Sequence, residues 1–162
     1  MPVDRVVVNA SPPLIVLFRS GQTDLLPQLF HEIMVPRAVW DEVTISKNDL
    51  AAQQLPNANW IKLAEVSIEP AIAAWDLGVG ESAVPSFAMQ SPIHYAVVDD
   101  AAARRCARSL GIKTLGTGGV MLLAKQRGII SSVGDRLTRL QDAGLWLSED
   151  VILLLRRQAG EQ

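Results

Sequence analysis

The sequence predicts an α/β protein built on a parallel sheet, and three observations carry that prediction. Short apolar runs at residues 6–8, 33–35 and 95–98 read as buried strands, and the segments between them carry helix signals. The strand ends are polar: Asn9, the pair Asp99–Asp100, and Thr117 after residues 113–116. Alternating strands and helices is the α/β pattern. In an open α/β sheet ligands bind at the carboxyl ends of the strands, so function is to be sought at those polar ends.

The elements follow in order. After the first strand and Asn9, Ser11 suits an N-cap and Pro12 a first helical residue, so a helix is expected over 14–20, stopping at Gly21. Thr23 and Asp24 open a second helix. Residues 33–35 lead into Pro36, which can start a helix over 37–43. Another helix spans 47–54, Asn57 and Asn59 flank a loop, and 60–66 reads as a strand. A helix beginning near Glu81 or Ser82 precedes the strand at 95–98. That late start keeps Pro85 in the first turn, since deeper in a helix it costs ~3 kcal/mol. A helix over 101–110 stops at Gly111, and Thr117 caps one running to Arg127. Two amphipathic helices follow, 133–143 before Gly144 and 149–159 between the capping Ser148 and Gly160. With no repeat, low-complexity stretch or linker, residues 1–162 read as one domain.

Composition narrows the class. The chain is 49% hydrophobic and 20% charged, ordinary for a soluble globular protein. Its longest apolar runs, such as 14–18 and 151–155, are five residues, far short of the ~20 a membrane helix needs. Residues 3–8 include Asp4 and Arg5, unlike a secretory signal; a cytoplasmic protein without membrane contact is expected. Cys106 is the single cysteine, which excludes an internal disulfide and a cysteine-rich zinc site; packing is its expected role. The net charge of −2 hides an asymmetry: residues 1–81 carry five Lys/Arg against ten Asp/Glu, residues 82–162 ten against seven. The later half offers either basic side chains to an acidic polymer or a solvated basic face.

Acids at neighbouring strand ends are what a magnesium or manganese site requires, because such hard cations take oxygen ligands and keep several waters. The candidates are Asn9, Glu42, Glu81, Asp99, Asp100 and Thr117, and each has a structural alternative. Asn9 and Ser11 can make turn and cap hydrogen bonds. Glu42, on a helix, can be a solvated acid. Glu81 after Gly80 can complement a helix dipole. Asp100 is expected to cap the next helix, which leaves Asp99 equally a ligand or a turn residue. The run Gly116-Thr117-Gly118-Gly119 lacks the endings of a P-loop or dinucleotide fingerprint and reads as a tight strand-to-helix turn. His31 and His94 are expected to be structural.

Taken in order, Val7-Val-Asn9-Ala-Ser11-Pro12, Val35-Pro36-Arg-Ala-Val-Trp-Asp-Glu42, Gly80-Glu81-Ser-Ala, Asp99-Asp100-Ala-Ala-Ala-Arg104 and Gly116-Thr117-Gly-Gly-Val120 resemble a PIN domain. More narrowly the chain is similar to the PIN-like proteins related to VapC toxins, in which a basic Gly turn (here Lys125-Gln-Arg-Gly128) and two more helices follow. The resemblance implies a three-layer α/β/α fold with about five parallel strands, and residues 129–162 as a C-terminal helical extension packed on it. It implies a Mg2+- or Mn2+-dependent ribonuclease, often a toxin neutralised by an antitoxin and commonly a homodimer. By position Asn9 stands for the first-strand acid. Glu42, Glu81 and Asp99 match the metal-holding acids, with Asp100 adjacent. Thr117 matches the polar residue that closes the site, and Ser11 the hydroxyl after the first strand.

The expected function is therefore metal-dependent endoribonuclease action on single-stranded or structured RNA. Glu42, Glu81, Asp99 and Asp100 would hold metal, Asn9 would be a neutral ligand or water-positioner, and Ser11, Thr117 and Arg104 would meet water or phosphate. Two departures support a rival expectation, a catalytically silent module that binds RNA or a protein. Asn9 brings no charge, and Ala83 stands where the family often has another acid. A phosphatase would need a nucleophilic Asp at the first strand end, which Asn9 is not.

Overall fold

The computed structural model describes residues 3–45 and 49–162, except for the side chains of Ala10 and Ser11. Among them are β1 (Arg5–Val8), β2 (Glu32–Pro36), β3 (Ile61–Ala64), β4 (Tyr95–Val97) and β5 (Thr114–Leu115). They form one sheet in the order β3-β2-β1-β4-β5, with every pairing parallel. Val6, Val7, Val8, Ala96 and Val97 have no exposed surface. A strand covered on both faces has no polar side to show, which is why the sequence gives unbroken apolar runs here. The β1 and β4 registers align Val6 with Tyr95 and Val8 with Val97. The strand order reverses at this pair, so its carboxyl end is the topological switch point, where a crevice opens.

Helices cover both faces in a three-layer α/β/α arrangement. They are α1 (Ile15–Arg19), α2 (Leu25–Leu29), α3 (Arg37–Thr44), α4 (Leu50–Gln54), α5 (Pro70–Ala73), α6 (Val79–Gln90), α7 (Ala101–Ser109), α8 (Thr117–Gln126), α9 (Val133–Asp142) and α10 (Glu149–Gln158). Gly21 and Gly111, with φ of +69° and +72°, end their helices in the left-handed conformation as expected. Asp100 caps α7 by accepting from the Ala103 N–H at 2.9 Å. Ser148 caps α10 by accepting from Val151 at 3.2 Å.

The structure corrects several sequence expectations. Residues 10–14 form a wide π-helical turn, closed by the Leu14 N–H on the Asn9 carbonyl at 3.2 Å, and α1 starts only at Ile15. Pro12 and Pro13 have no N–H to give a tighter ladder. The expected helix at 47–54 begins at Leu50 among the described residues, capped by Asp49; Lys47 lies outside them. The strand at 60–66 is shorter, and α5, with Pro70 at its first position, was not expected. The helix carrying Glu81 starts at Val79, which puts Pro85 inside it rather than in its first turn. The proline forfeits an N–H there, but α6 packs on β1, β2, β4, α3 and α7, contacts that hold it helical. Finally, Gly116 rather than Thr117 is the N-cap of α8, because the Thr117 hydroxyl is committed elsewhere.

The last two helices differ. In α9, Val133, Leu137 and Leu140 join the hydrophobic cluster around the sheet. In α10, Ile152 and Leu155 pack against that cluster, whereas Val151, Leu153 and Leu154 are 41–53% exposed. Glu161 folds back onto the start of α9. Its Oε2 accepts from the Val133 N–H and from Lys125 Nζ, both at 2.7 Å, and its Oε1 from the Gly134 N–H at 2.9 Å. With Ser132 accepting from the Asp135 N–H, the first three amides of α9 are satisfied. His94 is structural, as expected: its ring is buried edge-on to Phe87, between the Ser91 hydroxyl and Glu32, each at 2.9 Å. No helix among the described residues is long and apolar enough to cross a membrane.

Candidate functional site at the switch point

Asn9 leaves β1 at the switch point. It is 1% exposed, and its backbone N–H donates to the Val97 carbonyl at 3.1 Å, tying the ends of β1 and β4 together. A neutral amide is cheaper to bury there than a carboxylate, which would need a counter-charge. Across the switch point, Asp99 follows β4. Its Oδ1 accepts from the Thr117 N–H at 2.8 Å and its Oδ2 from the Thr117 hydroxyl at 2.5 Å. Thr117 is fully buried. Burial pushes the Asp99 carboxyl above the usual range, against the Thr117 hydrogen bonds and the positive charge of Arg104, which pull it back.

Arg104, on the first turns of α7, is drawn over the same edge. Its Nη1 donates to the Val98 carbonyl at 3.2 Å. A Cβ at position 116 would stand 2.9 Å from Arg104 Nη1 and 3.2 Å from Asp99 Oδ1. Gly116 has φ −82° and ψ 167°, open to any residue, so it is the close approach of Arg104 and Asp99, and not the backbone, that a side chain here would disturb.

A second group of acids lies beside this one. Glu81 sits in the first turn of α6, and the Gly78 N–H supports its carboxylate in a capping-box fashion. Burial first, and then the negative charges of Asp100 and Glu42, raise its carboxyl above the usual range despite that hydrogen bond. Glu42, exposed on α3, lies against Gly80: a Cβ there would be 2.6 Å from Glu42 Oε1. Glu81 therefore feels the charges of Asp100 and Glu42 where α3, α6 and α7 meet. Repulsion of this kind is relieved by a cation. Ala83, where another acid was sought, is 2% exposed on α6.

The donor set is all oxygen, which suits Mg2+ or Mn2+ rather than a softer metal. Among the described residues no three His, Cys, Asp or Glu side chains are gathered closely enough to form a ready cage. Mg2+ asks less, since it keeps waters and takes one or two carboxylates. The fold thus brings Asn9, Asp99, Thr117 and Arg104 to one spot and Glu42, Glu81 and Asp100 to its flank. The side chain of Ser11 lies outside the described residues.

Sequence reasoning missed two kinds of contributor. Gly80 and Gly116 matter for the side chains that lie over them, which no local pattern reveals. Trp146, between Leu145 and Leu147, carried no sequence expectation; it is 81% exposed and lines a cavity that reaches Asp99 and Arg104.

A comparison with known families agrees with the fold. A family model described as DUF3368, PIN domain, matches residues 5–161. No curated protein and no solved structure matches the chain. PIN domains are in general nucleases that use divalent metal ions.

Proposed function

The chain belongs to the PIN-domain family, and on that footing we propose that it is a Mg2+- or Mn2+-dependent endoribonuclease. The observation that carries the reading is the switch point itself, where Asn9 ends β1 and a Thr117-braced Asp99 follows β4, with Glu81 repelled by Asp100 and Glu42 on the flank. These acids, Asp99 and Glu81 first, would hold the cation. A bound metal would supply an activated water and neutralise charge developing on the attacked phosphodiester. Thr117 fixes the orientation of Asp99 so that its carboxylate is set before substrate arrives. Asn9 would orient water through its amide, and Arg104 would meet a phosphate oxygen of the RNA strand. In the hydrolysis, water oxygen bonds to phosphorus as the P–O bond to the leaving ribose oxygen breaks. The water proton passes to a carboxylate of the cluster, and the leaving oxygen takes a proton from solvent.

The same reading treats residues 1–162 as one cytoplasmic PIN-like domain with 129–162 as its helical extension, supported by the packing of α9 into the common core. It includes a toxin's role with an antitoxin partner and a homodimer, for which the exposed Leu153 and Leu154 of α10 offer an apolar contact. Cross-linking that finds only monomer would count against the dimer. The uncharged Asn9 favours a second reading, a silent module that binds RNA or protein. One assay separates the two: purified protein with a quenched fluorescent single-stranded RNA in Mn2+, beside a chelator control. Cleavage that the chelator stops supports the nuclease. No cleavage of several RNA sequences, with cleavage appearing in Asn9→Asp, would make the chain a silent descendant of one.

A further inference from the structure

Next to Arg104 and Asp99 a cavity of about 470 Å³ opens between the start of α8 and α10, within the ~300–1,000 Å³ that ligand pockets occupy. Trp146 is among its lining residues. This ring is 81% exposed, although Leu145 before it is 4% exposed and Leu147 after it packs on the core. Ser148 then caps α10. The backbone is thus anchored on both sides of Trp146, and the exposed indole lines the cavity. Val151 and Leu155, one turn apart on α10, supply an apolar floor, and Gln158 ends the same stripe with an amide.

We propose that this cavity is a nucleobase subsite for the RNA strand, with Trp146 as its stacking platform. The proposal deepens the ribonuclease reading and rests on it. A nucleotide has an anionic end and a flat, largely apolar base, and the cavity has the matching polarity. Arg104 is the cation among its lining residues, and Trp146, Val151 and Leu155 supply flat and apolar surface. The cavity runs directly from the phosphate-meeting end of the candidate site, so a base placed there belongs to a nucleotide adjoining the attacked phosphodiester. Stacking on an aromatic ring tolerates any base, while the Gln158 amide, a donor and an acceptor, can select among base edges. Trp146 is thereby a positioning residue for the strand.

The test is fluorescence anisotropy of a short labelled single-stranded RNA in chelator, so that binding is read without turnover. Wild type is compared with Trp146→Ala, with Trp146→Phe, and with Ile93→Ala, an exposed position outside the cavity. Trp146→Ala should weaken binding roughly 5- to 100-fold, the size of one lost stacking contact. Trp146→Phe should recover most of the loss, and Ile93→Ala should bind as wild type. Equal affinities for wild type and Trp146→Ala, in a protein that binds and cleaves RNA, overturn the subsite and leave the nuclease reading standing. A Trp146→Ala variant with unchanged RNA affinity but altered oligomeric state reassigns the surface to a protein partner. Failure of the wild type both to bind and to cleave RNA overturns the two together.

Discussion

Thr117 grips both carboxylate oxygens of Asp99, through its backbone N–H to Oδ1 at 2.8 Å and its hydroxyl to Oδ2 at 2.5 Å. The bracing joins the end of β4 to the first residue of α8 and aims one acid at the switch point. Thr117→Val keeps the shape and removes one donor, leaving a buried acceptor unsatisfied at a cost of ~1–3 kcal/mol. Losing such an orienting partner lowers activity or metal affinity roughly 10- to 100-fold. Urea unfolding and single-turnover cleavage read the two effects; wild-type rates in the variant would remove Thr117 from the site.

Glu81 is held above the usual carboxylate range by burial and by the charges of Asp100 and Glu42. A carboxyl whose pKa is higher folded than unfolded stabilises the fold below its unfolded value, and that contribution is lost as pH rises through the folded one. Glu81→Gln should therefore melt higher than wild type at pH 7 and lose that advantage near pH 3, below both the unfolded and the folded values. Mn2+ should raise the melting temperature of the wild type and leave that of Glu81→Gln unchanged. Thermal melts at the two pH values, with and without Mn2+, check the sign. A lower melting point for Glu81→Gln at pH 7 would show that the Gly78 cap outweighs the repulsion.

Gly116→Ala tests the close approach of Arg104. Its Cβ would lie 2.9 Å from Arg104 Nη1, and a flexible guanidinium can swing away, so the fold should survive. Arg104 would leave the Val98 carbonyl, and RNA affinity should fall several-fold, comparable to losing one phosphate contact. Circular dichroism and anisotropy measure the pair. Unchanged affinity would place Arg104 outside the RNA path.

Glu161 is lowered from the usual 4.5 to about 2, chiefly by its hydrogen bond with Lys125, aided by the Gly134 and Val133 amides and opposed by burial. A depressed carboxyl stabilises above its unfolded pKa and loses that contribution as pH falls through the folded one. Glu161→Gln should cost about 1 kcal/mol at pH 7, and the difference should shrink between pH 4.5 and about 2. Urea titrations at pH 7 and pH 3 give the comparison; a constant difference would show that charge is not what holds the tail to α9.

What the sequence made legible was periodic or local. Unbroken valines announced β1, and two adjacent acids after an apolar run announced a strand end with Asp100 as cap. Cooperative features were hidden. The successive prolines at 12 and 13 fit a helix start on paper but widen it into a π turn, because the ladder has no donors there. Pro85 would end an isolated helix, and only the packing of α6 keeps it inside one. Thr117 fits an N-cap by type, yet the approach of Asp99 from 18 residues earlier in the chain takes its hydroxyl. Trp146 sits in an apolar triplet, and only the fold shows that its neighbours turn inward while it does not.

The most direct test of the central claim is the rate of Mn2+-dependent RNA cleavage by Asp99→Asn against wild type, with circular dichroism confirming equal folding. The arrangement at the switch point predicts loss of cleavage in the variant. Equal rates would contradict it and place the activity, or its absence, away from Asp99.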